Sequence, residues 1–323
     1  GDGQRDEEGE GDGHGFVLGG HVALIIRSPA AKDKRPAALS AGGPSGYHGG
    51  MGDERTPVLT VPRLEAVPGL VHGFGGAGWS EAGLPAFAAA RGLRPVVMRQ
   101  VHGDGVRRLD AAPRGKVEGD ALVTGVPGLL LVVRTADCLP VLLVDEARRA
   151  VGAVHCGWRG TAKRVLEKAV RAMAEAYGSR PAEMLAALGP CIGGACYEVG
   201  PEVREAFLEA GFPRSVLTES GTREPGTRAK KGRGTRAKGT CPPSEGSGEG
   251  MGTCTSGTCP PSEGRWRLDL RGANLWLLRE LGFAAANVLA PGPACTHCGP
   301  GLLSYRRDPA DPRRMINFIG FAA

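Results

Sequence analysis

The chain has 323 residues, of which 41% are hydrophobic, enough for one large domain or two small ones with a sizeable core. Its formal charge of +6 suggests a nucleic-acid partner, but many of the basic residues lie between Thr222 and Lys238, where Gly-Thr-Arg-Ala-Lys occurs twice. The rest is near neutral, so charge points to no nucleic-acid binding by the body of the chain.

No apolar run reaches the ~18 residues of a membrane span. The apolar segment Phe16–Ile26 is preceded by acidic residues, where a signal peptide needs basic ones. The nine cysteines are an odd number, scattered apart from Cys295-x-x-Cys298 and the cluster Cys254 to Cys259, which predicts a reducing, cytoplasmic setting.

Residues 1–55 mix acidic, glycine and proline residues around one short apolar patch and are expected to be disordered. The folded body is expected over 56–323. Short apolar runs at Val96–Val101, Leu129–Val133, Val141–Val144, Ala150–Val154 and Leu185–Leu188, most bounded by Gly, Pro or Asp, predict buried strands. Thr161–Tyr177 predicts a helix with Leu166, Ala169, Val170, Met173 and Tyr177 on its apolar face.

Pro201 is placed for the first turn of a helix ending near Gly211, and Asp269 to cap another running to Gly282. Between those helices, Gly-Thr-Cys-Pro-Pro-Ser-Glu-Gly occurs twice, at 239–246 and 257–264. Such a unit has little apolar surface to bury, so about 218–264 is expected to be a low-complexity insertion without regular structure. Sheets flanked by helices place the fold in the α/β or mixed α+β class.

Three residues stand where strands should end: His102 in Gln100-Val101-His102-Gly103, Cys138 in Ala136-Asp137-Cys138, and His155 in Val154-His155-Cys156-Gly157. Loops at one end of a sheet can bring all three together. Two neutral imidazoles and a thiolate suit zinc, or copper in a trigonal geometry, and leave a fourth position open for water or substrate. Taken separately, each is an ordinary buried thiol or hydrogen-bonded histidine.

After His155, the run Cys156-Gly157-Trp158-Arg159-Gly160-Thr161 enters the helix. Gly157, Gly160 and the Arg159 guanidinium could form a phosphate site there; a plain strand-to-helix turn with Arg159 paired to a carboxylate fits as well. Asp137 could orient a ligand or move a proton, whereas Asp120 reads as structural. Cys295-x-x-Cys298 lacks a matching cysteine pair and reads as free thiols.

Taken together, several segments resemble the YfiH-like family, long labelled multicopper polyphenol oxidases or laccase-domain proteins. They are Arg99-Gln100-Val101-His102-Gly103, Gly119-Asp120-Ala121, Thr135-Ala136-Asp137-Cys138-Leu139-Pro140-Val141, His155-Cys156-Gly157-Trp158-Arg159-Gly160, Gly189-Pro190-Cys191-Ile192-Gly193, Cys196-Tyr197-Glu198-Val199-Gly200, Leu268-Asp269-Leu270, Cys295-Thr296 and Ser304-Tyr305-Arg306-Arg307.

The resemblance implies a single α+β domain of stacked mixed sheets and helices, with His102, Cys138 and His155 as zinc ligands. Gln100, Tyr197 and, by resemblance, Arg306 are expected beside the substrate, and Asp137 stands as a catalytic candidate from its place before Cys138. The activity the resemblance implies is phosphate-dependent cleavage of purine nucleosides (adenosine, inosine, guanosine, methylthioadenosine), together with adenosine deamination. Position 156 departs from the family's usual Ala and sets a further thiol beside a ligand.

Three other readings stand beside this one. A copper-dependent polyphenol oxidase would need far more than the chain's seven histidines. A cysteine hydrolase would use Cys138 as nucleophile with His155 or His102 as base. A basic binding protein would use the repeats beginning at Gly226 and Gly234. Oligomeric state is not legible.

Overall fold

The computed structural model describes residues 58–79, 81–220, 264–292 and 295–323. The expectations for residues 1–55 and for 221–263, the bulk of the insertion, therefore lie outside the described residues.

In chain order the fold begins with β1 (Val58–Leu59), α1 (Pro62–Glu65), β2 (Leu70–Gly75), α2 (Leu84–Ala89) and β3 (Arg94–Arg99). Then come β4 (Val106–Leu109), β5 (Val117–Glu118), β6 (Ala121–Thr124), β7 (Leu129–Thr135), β8 (Leu139–Asp145) and β9 (Ala150–Cys156). After these follow α3 (Trp158–Ala162), α4 (Val165–Tyr177), β10 (Leu185–Leu188), β11 (Glu198–Val199) and α5 (Pro201–Glu209). The chain closes with β12 (Leu217–Glu219), β13 (Trp266–Leu268), α6 (Leu270–Glu280), β14 (Val288–Leu289) and β15 (Met315–Phe321).

Two six-stranded sheets form the body, in the orders β1-β2-β15-β7-β3-β5 and β14-β10-β8-β9-β6-β4, with a small sheet β11-β13-β12 beside them. Both large sheets mix parallel and antiparallel pairs, so the class is mixed α+β. Between them lies one apolar layer, with Val96, Met98, Leu131, Val133 and Ile319 on one side and Leu122, Leu142, Val144, Val151 and Ala153 on the other. The far face of the second sheet is covered by Leu166, Ala169 and Met173 of α4 and by Leu277 of α6. Burial on both faces explains why β8 and β9 read as continuous apolar runs rather than as alternating strands.

The apolar runs form strands and the helical face is present, but the helix expected over Thr161–Tyr177 is broken. Arg164 takes a left-handed conformation, φ 60°, and separates α3 from α4. Its guanidinium is held by Glu167 and by the Ala210 carbonyl at 2.7 Å, which stabilises a backbone state uncommon for a residue with a Cβ. The short α3 packs against β9, α5 and α6.

Asp269 caps α6 as its position predicts, accepting the Gly272 N–H at 2.8 Å. The expected start of the insertion shifts, because Thr218 and Glu219 pair with Arg267 and Trp266 as part of β12. No helix among the described residues is long and apolar enough to cross a membrane.

Candidate metal centre and active site

The two large sheets deliver the three candidate donors to one place. His102 lies three residues beyond β3; Cys138 closes the connection between β7 and β8. His155 is the penultimate residue of β9, inside the strand rather than after it, opposite Pro140 in the β8–β9 pair. One donor atom from each of the three lies within 4.8 Å of the others. The two imidazole rings meet edge to face, with centroids 4.9 Å apart.

Asp120 organises both histidines. Fully buried just before β6, it accepts the backbone N–H groups of His102 at 3.0 Å and Gly103 at 2.7 Å. Its Oδ1 also lies 2.8 Å from Nδ1 of His155. This sets the His155 tautomer, leaving Nε2 for Cys138 or a metal. His102 takes a left-handed backbone, φ 56°, which the Asp120 contacts hold in place.

The sequence by itself marks Asp120 as structural and does not reveal this role. The signal it offers is the Gly119-Asp120-Ala121 segment, but the antiparallel pairing of β6 with β9 is what sets Asp120 beside His155.

Burial pushes the Cys138 thiol up, but the His155 and His102 rings outweigh it and hold the thiol down at about 6. Burial opposes the charged form of His155, while Cys138 and Asp120 pull the other way and raise it. The two rings thus favour the thiolate form of Cys138. Cys156, one residue from His155, packs into the helix-side core instead, and burial pushes its thiol well up. It stays a protonated core residue rather than a competing ligand.

The donor set fits a borderline cation such as zinc, and Gly157 adds no side chain beside it. A Cβ at Gly157 would lie 3.1 Å from Cys138 Sγ, 3.5 Å from His102 Cδ2 and 3.7 Å from His155 Cε1, so only glycine keeps that space clear. Gly160 serves packing instead. A Cβ there would meet the Gly103 carbonyl at 2.8 Å, so its bareness lets α3 pack on the His102 loop.

Asp137 has a strained backbone, φ 94°, with both carboxylate oxygens engaged. Thr296 Oγ1 donates to one at 2.6 Å and the Arg306 N–H to the other at 2.7 Å, while the Ile192 N–H donates to its carbonyl at 2.9 Å. These contacts tie the C-terminal segment to the residue preceding Cys138.

Gln100 is similarly committed, its amide bonding both ways with the Arg134 backbone at 2.7 and 2.8 Å. The Arg306 guanidinium bonds the Glu198 carbonyl at 3.0 Å and lies against the Tyr197 ring. Tyr197 is half-buried, and its hydroxyl, pushed up by burial, feels Cys138, Arg306, Asp137 and Arg159. Arg159 is exposed and stacks 4.4 Å from the Trp158 ring centre. The expected alternative, a carboxylate partner for Arg159, is not found among the described residues.

Two stacked mixed sheets whose loops bring His102 and Cys138 to His155 at the end of β9 define an α+β protein with a three-donor centre at the strand ends. Residues 84–230 match the family described as multi-copper polyphenol oxidoreductase laccase. A Deinococcus radiodurans protein named purine nucleoside phosphorylase is 35% identical over 223 residues, 69% of this chain and 68% of that protein.

The Escherichia coli purine nucleoside phosphorylase YfiH is 45% identical over 115 residues, 36% of this chain and 46% of its own length, so that match spans under half of the relative. A crystal structure of a Bacillus licheniformis hypothetical protein YfiH superimposes with a TM-score of 0.61 at 22% identity, covering 78% of this chain and 92% of that one. The chain belongs to this YfiH family of laccase-like proteins.

Proposed function

We propose that this chain is a zinc-dependent purine nucleoside phosphorylase, transferring the ribosyl group of adenosine, inosine, guanosine or methylthioadenosine from base to phosphate, with adenosine deamination as a second activity. The observation that carries the reading is the convergence of His102, Cys138 and His155 around the space that Gly157 leaves free. Relatives named purine nucleoside phosphorylase support the substrate class. Free thiols at all six described cysteines suit a reducing, cytoplasmic setting.

His102, Cys138 and His155 would hold the metal. When bound, it supplies Lewis acidity and a water of lowered pKa. The protein's own groups do the rest. Asp120 fixes the His155 ring, and Asp137 fixes the turn that presents Cys138. Arg159, exposed and without a carboxylate partner among the described residues, is the anchor for phosphate, with Tyr197 and Arg306 beside it. In phosphorolysis a phosphate oxygen bonds to the ribose anomeric carbon as the C–N bond to the base breaks, and the base takes up a proton.

A second reading has one observation in its favour: Asp120, His155 and Cys138 stand in the order of a nucleophile triad, carboxylate to imidazole to thiolate. Metal content separates the two, because stoichiometric zinc on Cys138 removes the nucleophile. Laccase chemistry with four coppers fits poorly. Of the chain's seven histidines, His14, His21 and His48 precede the described residues, and His72 is engaged by the Val61 N–H at 3.0 Å.

Base release from inosine and adenosine at varied phosphate, with parallel metal analysis, tests the proposal. Phosphate-dependent release lost in Cys138→Ala is expected. No release from any purine nucleoside by metal-loaded protein would overturn it.

A further inference from the structure

Cys295 and Cys298 do not stand alone. The fold brings Cys196, from the turn preceding Tyr197, to them, so that one sulfur from each of the three lies within 4.8 Å of the others. Cys196 and Cys298 Sγ are 4.0 Å apart. Zinc–thiolate bonds of ~2.3 Å in tetrahedral geometry place sulfurs roughly 3.8 Å apart, so this spacing is the edge of a metal–thiolate tetrahedron rather than of a disulfide.

Backbone groups also converge on one of the sulfurs. The Gly193 N–H donates to Cys295 Sγ at 3.2 Å, and the backbone N–H groups of His297 and Cys298 point to the same sulfur. The Cys295–Cys298 turn is stapled from behind by Arg307, which donates to the carbonyls of Thr296 at 2.8 Å and His297 at 2.9 Å. It is joined to the neighbouring segment by parallel backbone pairing between Cys191 and Cys295, both free thiols. Cys298 is exposed, so an ion can enter and solvent can complete its coordination.

We propose that Cys196, Cys295 and Cys298 form a second metal site, distinct from the His102–Cys138–His155 centre, that takes one thiophilic d10 cation, zinc(II) or copper(I). Binding forms three metal–sulfur bonds and releases the thiol protons to solvent. An ion there would lock the turn carrying Thr296, whose hydroxyl holds Asp137 beside Cys138, and so brace the first centre from outside. The proposal does not depend on the reaction assigned to the first centre.

The test uses the full chain with Cys138→Ser, which silences the first centre, and with Cys241, Cys254 and Cys259 changed to serine, which removes the other thiols of the 221–263 segment. Purified under reducing conditions, this background is expected to retain one equivalent of zinc or copper; elemental analysis tells which. Its cobalt(II) form should show a strong sulfur-to-cobalt charge-transfer band. Cys298→Ser, an exposed position with little risk to folding, and separately Cys196→Ser, should each lower the retained metal and the band several-fold, with unchanged circular dichroism. Equal metal content in background and variants, or a Cys196–Cys298 disulfide with no metal in the reduced preparation, would overturn the proposal.

Discussion

Oδ1 of Asp120 lies 2.8 Å from Nδ1 of His155 and also accepts the backbone N–H of His102 at 3.0 Å, so one buried carboxylate sets the ring of one histidine and the loop of the other. Asp120→Asn keeps the shape but can present an amide N–H to groups that themselves donate. Losing such an outer contact typically costs 10–100-fold in metal affinity. A drop of roughly that size is expected in competition against a chelator, with the fold retained. Unchanged affinity would show that His155 orientation is set elsewhere.

Gly157 tests the cradle itself. Its backbone, φ −75° and ψ 169°, is ordinary for any residue, so Gly157→Ala adds only the Cβ that would sit 3.1 Å from Cys138 Sγ. Metal stoichiometry of the first centre should fall well below one equivalent while thermal stability of the metal-free protein changes little. Full metal occupancy in this variant would place the ion somewhere other than beside Gly157.

Arg159→Ala should raise the phosphate KM with the metal retained. A charge-assisted contact to an anion contributes about 1.5–3 kcal/mol, equivalent to roughly a ten- to hundredfold change. Initial rates against phosphate at saturating inosine measure it. A KM that does not move would take Arg159 out of the phosphate site and leave Arg306 as the candidate.

His72 links stability to pH away from the His102–Cys138–His155 cluster. Burial holds its imidazole down at about 4, against an ordinary 6.5, with Glu65 opposing, and its Nε2 accepts the Val61 N–H at 3.0 Å. The fold therefore favours the neutral ring. This contribution is complete above pH 6.5 and drains away as pH falls toward 4, because the unfolded chain takes up a proton that the folded chain refuses.

The difference between the two values corresponds to about 3 kcal/mol. His72→Gln keeps an acceptor for Val61 and cannot titrate, so the loss of urea stability between pH 7 and pH 5 should be smaller in the variant. Identical pH dependence in both proteins would remove His72 as the source.

The ends of the 221–263 segment are joined by the β12–β13 pair: Glu219 lies opposite Trp266, and the Ser220 N–H bonds the Arg265 carbonyl at 2.9 Å. A short Gly/Ser turn can therefore replace residues 221–263. Melting temperature and nucleoside cleavage are expected to stay close to the parent's. Loss of cleavage in a folded deletion would favour the basic binding-protein reading.

The strands, the α4 face and the α6 cap are legible in the sequence because each depends on local pattern. Residues buried on both sides of β8 and β9 leave an unbroken apolar run, Leu166 to Met173 repeat at helical spacing, and Asp269 caps three residues ahead of Gly272. His102, Cys138 and His155 can be picked out for the same reason, as metal-ligand residue types at strand ends.

Tertiary structure alone decided what those residues do together. Strand pairing, which no local pattern encodes, put Asp120 beside His155 and turned an apparent turn residue into the organiser of two histidines. The same long-range packing committed Gln100 and Asp137 to backbone and side-chain contacts, sent Cys156 into the core, broke the helix at Arg164 and carried Cys196 to Cys295 and Cys298. Each of these depends on a partner distant in sequence, so its position follows from how the two sheets stack rather than from the residues on either side of it.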